Sequence, residues 1–156
     1  MSEIKPLSGV SVLVTRPVHQ AKNLAEGIQA AGGCSMLFPV LEITDIEDLR
    51  PLLDIIARLD KFDLAIFVSP NAVNKTMPLI KAHGVLPPNM EIAVVGKGSA
   101  NALKRLGVID IIVPTGRYDS ETLLEQSELQ QMKNKRVVIF RGNGGRKLLG
   151  DTLIER

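Results

Sequence analysis

Two arginines, Arg141 and Arg146, bracket the run Gly142-Asn143-Gly144-Gly145 directly after the apolar pair Ile139-Phe140. A guanidinium grips a carboxylate through two parallel N–H donors, and glycine-rich backbone beside it lets further N–H groups approach an anion. The same arrangement recurs three times: Thr15-Arg16-Pro17 follows Leu13-Val14, Ser69-Pro70-Asn71 follows Phe67-Val68, and Gly96-Lys97-Gly98-Ser99 follows Val94-Val95. Ser69 can cap a helix that Pro70 opens, and Asn71 keeps two amide donors to spare. Ser99 can cap a helix and share its hydroxyl with a ligand. A plain tight turn closed by a capping serine accounts for the same four residues, as a solvated surface turn does for the arginine-flanked run.

Donors abound at these junctions; acids and bases do not. No Ser/His/Asp set and no pair of catalytic carboxylates can be assembled. His19 and His83 are far apart, and neither has a metal-ligand neighbour at helical spacing, so no metal is expected. The glycine-rich run lacks the lysine and Ser/Thr of a nucleoside triphosphate cradle, and Asn101 stands where a dinucleotide fingerprint needs its third glycine. Asp63 starts its strand rather than ending it, which excludes a phospho-acceptor of the response-regulator kind. What remains is chemistry driven by holding and folding an anionic substrate.

These junctions need a scaffold that gathers them. Apolar runs at Val10–Val14, Ser35–Phe38, Leu64–Val68, Glu91–Val95, Ile109–Val113 and Arg136–Phe140 alternate with helical patterns. Among the helical faces are Leu24, Ile28 and Ala31, stopped by Gly32-Gly33, and Leu49, Leu52, Leu53, Ile56 and Leu59 behind a capping Asp48. Later helices start at about Asn71, at Ser99, at a capping Ser120 and at Arg146. Alternation of this kind specifies a wound α/β fold with parallel sheets, whose strand ends share one edge. Leu41–Ile46 instead alternates apolar and polar residues, which suggests an exposed ribbon crossing between two sheets. The residues before it supply only strand–helix–strand, and the chain stops at a helix inside the alternating pattern.

Composition narrows the partners. The 156 residues are 45% apolar and 3% aromatic, with no Trp, one Tyr (Tyr118) and a net charge of +2. That is too few aromatic faces for single-stranded nucleic acid and too balanced a charge for a nucleic-acid binder. Cys34 is the only cysteine, so no internal disulfide is possible, and it reads as a small buried apolar residue. With no apolar signal core at the N-terminus and no apolar run near the ~20 residues that span a bilayer, a cytoplasmic protein is expected.

Taken in order, the motifs resemble the uroporphyrinogen-III synthase family. They are Val14-Thr15-Arg16-Pro17 with Gln20; Phe38-Pro39-Val40-Leu41; Ile66 to Val73; Val95 to Ala100 with Ala102-Leu103; Asp119-Ser120-Glu121 with Leu123-Leu124; and Arg141 to Arg146 with Leu148-Leu149. The resemblance implies two similar parallel-sheet α/β domains joined by a two-stranded ribbon, with the active site in the cleft between them. Residues 1–40 would open a discontinuous first domain, 41–47 would form the connecting ribbon, and 48–156 would form the second domain. The family pattern continues with the second domain's last strand and most of the first domain, which are expected to be missing here.

The implied activity is that of a lyase of tetrapyrrole (haem, sirohaem) biosynthesis. It loses water from hydroxymethylbilane and closes the macrocycle with the last ring inverted. Carried over by motif, Ser69, Asn71, Gly98 and Ser99 would face the cleft and bind substrate carboxylates, largely through backbone N–H groups. Ser99 stands where the family commonly has threonine. Arg16 would face the cleft from the first domain, and Arg141 and Gly142 complete the substrate-binding set. No catalytic residue is implied within this chain: the family's favoured proton donor is a tyrosine beyond Arg156, and Tyr118 lies in a different loop. The family needs no cofactor, and its small-molecule substrate is the only partner implied. A monomer is expected, with self-association if the first domain is incomplete. The alternative is a non-catalytic anion-binding module on the same scaffold.

Overall fold

The computed structural model describes residues 5–156, which divide into two compact units meeting between Glu47 and Asp48. In the first unit, β1 (Ser11–Val14) and β2 (Cys34–Leu37) pair in parallel with Ser11 opposite Cys34, and α1 (Val18–Ala30) joins them. The helix buries Ala21, Ala25 and Ile28, and Ala21 and Ile28 form a small core with Val14, Val12 and Leu7. The apolar stripe expected at Leu24, Ile28 and Ala31 is therefore rotated, and Leu24 is 42% exposed. Small alanines on the inward face let the helix lie close against the strands. Cys34, expected to be buried, is exposed. It opens an edge strand that a single helix covers on one face only. Residues 38–47 contain no strand, so the alternation across the expected ribbon is not matched by pairing among the described residues.

The second unit is a three-layer sandwich. Its sheet runs β4 (Glu91–Val94), β3 (Leu64–Phe67), β5 (Val137–Phe140), all parallel, with Leu64 opposite both Glu91 and Val137. β3 is flanked on both edges and covered on both faces, which explains its uninterrupted apolar sequence and complete burial. Alternate residues serve the two faces. Ala65 and Phe67 pack with α2 (Arg50–Ile56), α3 (Pro70–His83) and α4 (Lys97–Arg105). Leu64 and Ile66 pack with α5 (Ser120–Leu124) and α6 (Leu148–Glu155). The strand expected over Ile109–Val113 shrinks to a bridge. Ile112 donates to the Ile92 carbonyl at 2.8 Å and accepts from the Val94 N–H at 3.0 Å, and no ladder extends from it. Ile109 and Asp110 on its leading side are exposed, so nothing extends the pairing toward Gly107.

Helix starts follow local chemistry, with two corrections. Ser69 caps α3 as expected, accepting the Ala72 N–H at 3.1 Å, with Pro70 in the first helical position. The cap of α5 is Asp119, not Ser120: its carboxylate accepts the Thr122 N–H at 2.8 Å. α4 begins at Lys97 with Gly96 as its cap residue, so Ser99 is inside the first turn instead of capping it. Asp48 accepts the Arg50 N–H at 3.0 Å, one residue ahead of the assigned cap Leu49. Among the described residues no helix is long and apolar enough to cross a membrane.

Candidate functional site

The order β4-β3-β5 fixes where a site can form. From β3 the chain crosses to one side to build β4, then returns to the other side of β3 to build β5, so the connections leaving β3 and β5 diverge. Such divergence opens a crevice at the carboxyl ends of the strands. A cavity of about 350 Å³ lies there, lined by Val68 and Val95 just beyond β3 and β4, by Ser120 at the start of α5, and by the loop Arg141–Arg146 after β5. Phe67 and Phe140 are paired in register and stack with ring centroids 4.9 Å apart, giving the strand ends a rigid aromatic support.

The loop is held by its own arginines. Arg141 donates to the carbonyls of Arg146, at 3.0 Å, and of Gly144. Gly144 and Gly145 both have positive φ, and a Cβ on Gly145 would stand 3.1 Å from the Arg141 guanidinium, so glycine is required there. Arg146 reaches to α5 and grips Glu121 with both terminal nitrogens, one at 3.1 Å and the other shorter. That grip holds the Glu121 carboxyl below the usual glutamate range and raises the Arg146 guanidinium. Asp119 is likewise lowered, chiefly by the Thr122 N–H and then by Arg117, whose Nε lies 3.0 Å away. Both carboxylates therefore stay charged at neutral pH, and the basic excess of the chain resides wholly in this unit.

Of the residues expected at the site, Arg141 and Gly142 line the cavity; Ser69, Asn71, Gly98 and Ser99 do not. They lie on the same sheet edge, at the starts of α3 and α4. The Ser69 hydroxyl serves its helix cap, and Asn71 is half-buried. Gly98 is a close-approach glycine: a Cβ there would meet the Pro70 ring at 3.0 Å. Lys97 and Gly98, in the first two helical positions, have N–H groups without intrahelical acceptors, the donors an anion would use.

Ser99 departs most from expectation. Its side chain is 0% exposed, its Oγ has no hydrogen-bond partner, and its N–H is donated to the Gly96 carbonyl at 3.0 Å. Ser99→Ala is accordingly expected to stabilise the protein by about 1–2 kcal/mol, because it removes an unsatisfied buried hydroxyl. Chemical denaturation of the variant checks this, and a loss of stability would refute it. In the first unit, Arg16 is exposed and contacts Gln20 at 3.5 Å.

Sequence reasoning missed Glu121 and the lining residues Val68, Val95, Ser120 and Leu149. It noted Arg146 as a carboxylate ligand without placing it in the site. Among the described residues no cluster of His, Cys, Asp and Glu is arranged to hold a metal ion.

Comparison with known proteins agrees with this architecture. The family model described as uroporphyrinogen-III synthase HemD matches residues 22–156. The uroporphyrinogen-III synthases of Salmonella typhimurium and Escherichia coli are 36% and 34% identical to this chain over 148 residues, covering 94% of it and 60% of each relative. That of Proteus mirabilis is 33% identical over 148 residues, covering 94% of this chain and 74% of the relative. The chain thus spans about 60% of the length of the first two. Two crystal structures of uroporphyrinogen III synthase from Thermus thermophilus, a wild-type form and a selenomethionine mutant, share the fold. Their TM-scores are 0.60 and 0.67 at 22% and 20% identity, each covering 94% of this chain and 57% of theirs. With a family match across most of its length and relatives of this similarity, the chain belongs to the uroporphyrinogen-III synthase family.

Proposed function

We propose that this chain serves the uroporphyrinogen-III synthase reaction: hydroxymethylbilane loses its terminal hydroxyl as water and closes to uroporphyrinogen III with the last pyrrole ring inverted. The observation that carries the reading is the crevice at the strand ends, walled by two arginines on a glycine-rich loop, in a chain of this family. The substrate bears an acetate and a propionate on each ring, so it offers many carboxylates to such a wall. Arg141 and Arg146 bind them as bidentate partners, and the Lys97 and Gly98 N–H groups take another. Because the substrate also closes spontaneously to the uninverted isomer, the protein's task is to hold it in the conformation that inverts the last ring. The chemistry needs no cofactor.

A second reading is favoured by one feature of the cavity wall: among the described residues that line it there is no carboxylate, imidazole or phenol. On that reading the chain binds polycarboxylates without turning them over. Product analysis separates the two. The 156-residue chain is given fresh hydroxymethylbilane, and the porphyrin isomers are resolved after oxidation. An excess of isomer III over a protein-free control is expected. Isomer I alone, formed at the spontaneous rate, would refute turnover by this chain; binding of an octacarboxylate porphyrin would then support the second reading.

A further inference from the structure

We propose that Glu121 is an internal carboxylate that occupies Arg146 until a substrate carboxylate displaces it, so that only ligands carrying several carboxylates open the rim. The inference rests on the reading above, that the crevice takes the carboxylates of a tetrapyrrole.

The geometry is that of a completed ligand complex. Arg146 presents both terminal nitrogens to the two Glu121 oxygens, the fork-on-fork arrangement that a bound substrate carboxylate would adopt. Arg146 lines the cavity and Glu121 does not, so the pair spans the rim from the loop to α5. Arg141 is similarly engaged, its donors turned onto the Gly144 and Arg146 carbonyls. Without ligand, both guanidinium groups of the loop are therefore satisfied from within.

Releasing Arg146 is cheap. Its side chain is 65% exposed and that of Glu121 39%, and an ion pair so hydrated is weak in net terms. The loop between the arginines is almost all glycine, so the backbone can follow the side chain. A tethered carboxylate nevertheless competes at an effective concentration on the order of millimolar or above. A ligand with one carboxylate meets that competition alone. A ligand with several is already held by its other groups when it meets Arg146, and its next carboxylate is also intramolecular. Glu121 thereby sets a threshold in ligand charge.

The test titrates the full chain, Glu121→Gln, Arg146→Ala and the double variant with an octacarboxylate porphyrin, followed by fluorescence. Amide hydrogen exchange over residues 142–147 is measured without ligand. Glu121→Gln is expected to bind about 2- to 5-fold more tightly and to speed exchange in the loop, because Arg146 is freed. Arg146→Ala is expected to bind at least about 10-fold more weakly. In its background the Glu121 substitution should change nothing, as a double-mutant cycle requires when the two act through each other.

Weaker binding by Glu121→Gln would overturn the proposal, because Glu121 would then be positioning Arg146 for the ligand. Unchanged binding by Glu121→Gln alongside a loss in Arg146→Ala would overturn the exchange while leaving the rim as the carboxylate site. Wild-type affinity in Arg146→Ala would overturn both the exchange and that reading of the rim, as would no binding by any chain.

Discussion

Phe67→Ala is expected to cost about 3–5 kcal/mol of stability, the usual penalty for deleting a buried aromatic ring. Phe67 is 0% exposed, ends the central strand, and stacks on Phe140 across the β3–β5 pair. The core it belongs to includes Val73 and Met77 of α3 and Leu103 of α4, so the void would open in the layer between the sheet and these helices. A domain of this size has roughly 5–15 kcal/mol in hand, so the loss is a large share of the total. Urea titration should show a lower midpoint with an unchanged slope. Phe67→Leu, which keeps most of the volume, should lose clearly less. If Phe67→Ala lost less than about 1 kcal/mol, the stack would not be part of a packed core.

Expressed apart, residues 48–156 should fold and residues 5–47 should not. The second unit has a sheet covered on both faces by two apolar layers. The first has two strands, one helix and a core whose buried members are Val14, Ala21 and Ile28. Two strands are marginal in water, and chains of about 40 residues seldom fold without disulfides, metals or partners. Leu13, Met36 and Phe38 are exposed on this unit as well. Circular dichroism and thermal melting of the two fragments check the contrast. A cooperative melt from residues 5–47 alone would contradict it, as would an unfolded 48–156.

The central strand was legible because burial on both faces leaves no polar position: Leu64–Phe67 reads as a strand from composition alone. The Ile109–Val113 run looked similar, but strand formation needs a neighbour along its length, and β4 offers one only at Ile112. In α1 the eye follows large residues, whereas the surface that packs is set by alanines. The boundary of α4 mattered most. Each residue turns a helix by about 100°, so a start two positions earlier than expected carries Ser99 from the rim to the interior. Arg141 and Gly142 could be found because the loop's chemistry is contiguous. Glu121 could not: it meets Arg146 across 25 residues, through packing of α5 and α6 that no local pattern encodes.

Strand order also has a consequence in time. β3 and β4 are joined by one helix and can pair early, but β5 must come back to the opposite edge of β3. The Asp63 carboxylate accepts the Arg136 N–H at 2.7 Å across a sequence separation of 73. Closing so long a loop is entropically costly before any contact rewards it, and non-local parallel pairing is slow. During synthesis, β3 and β4 emerge long before β5, and β3 waits with one bare edge. The arginine loop follows β5 directly, so the crevice at the strand ends takes shape only after β5 has joined the free edge of β3.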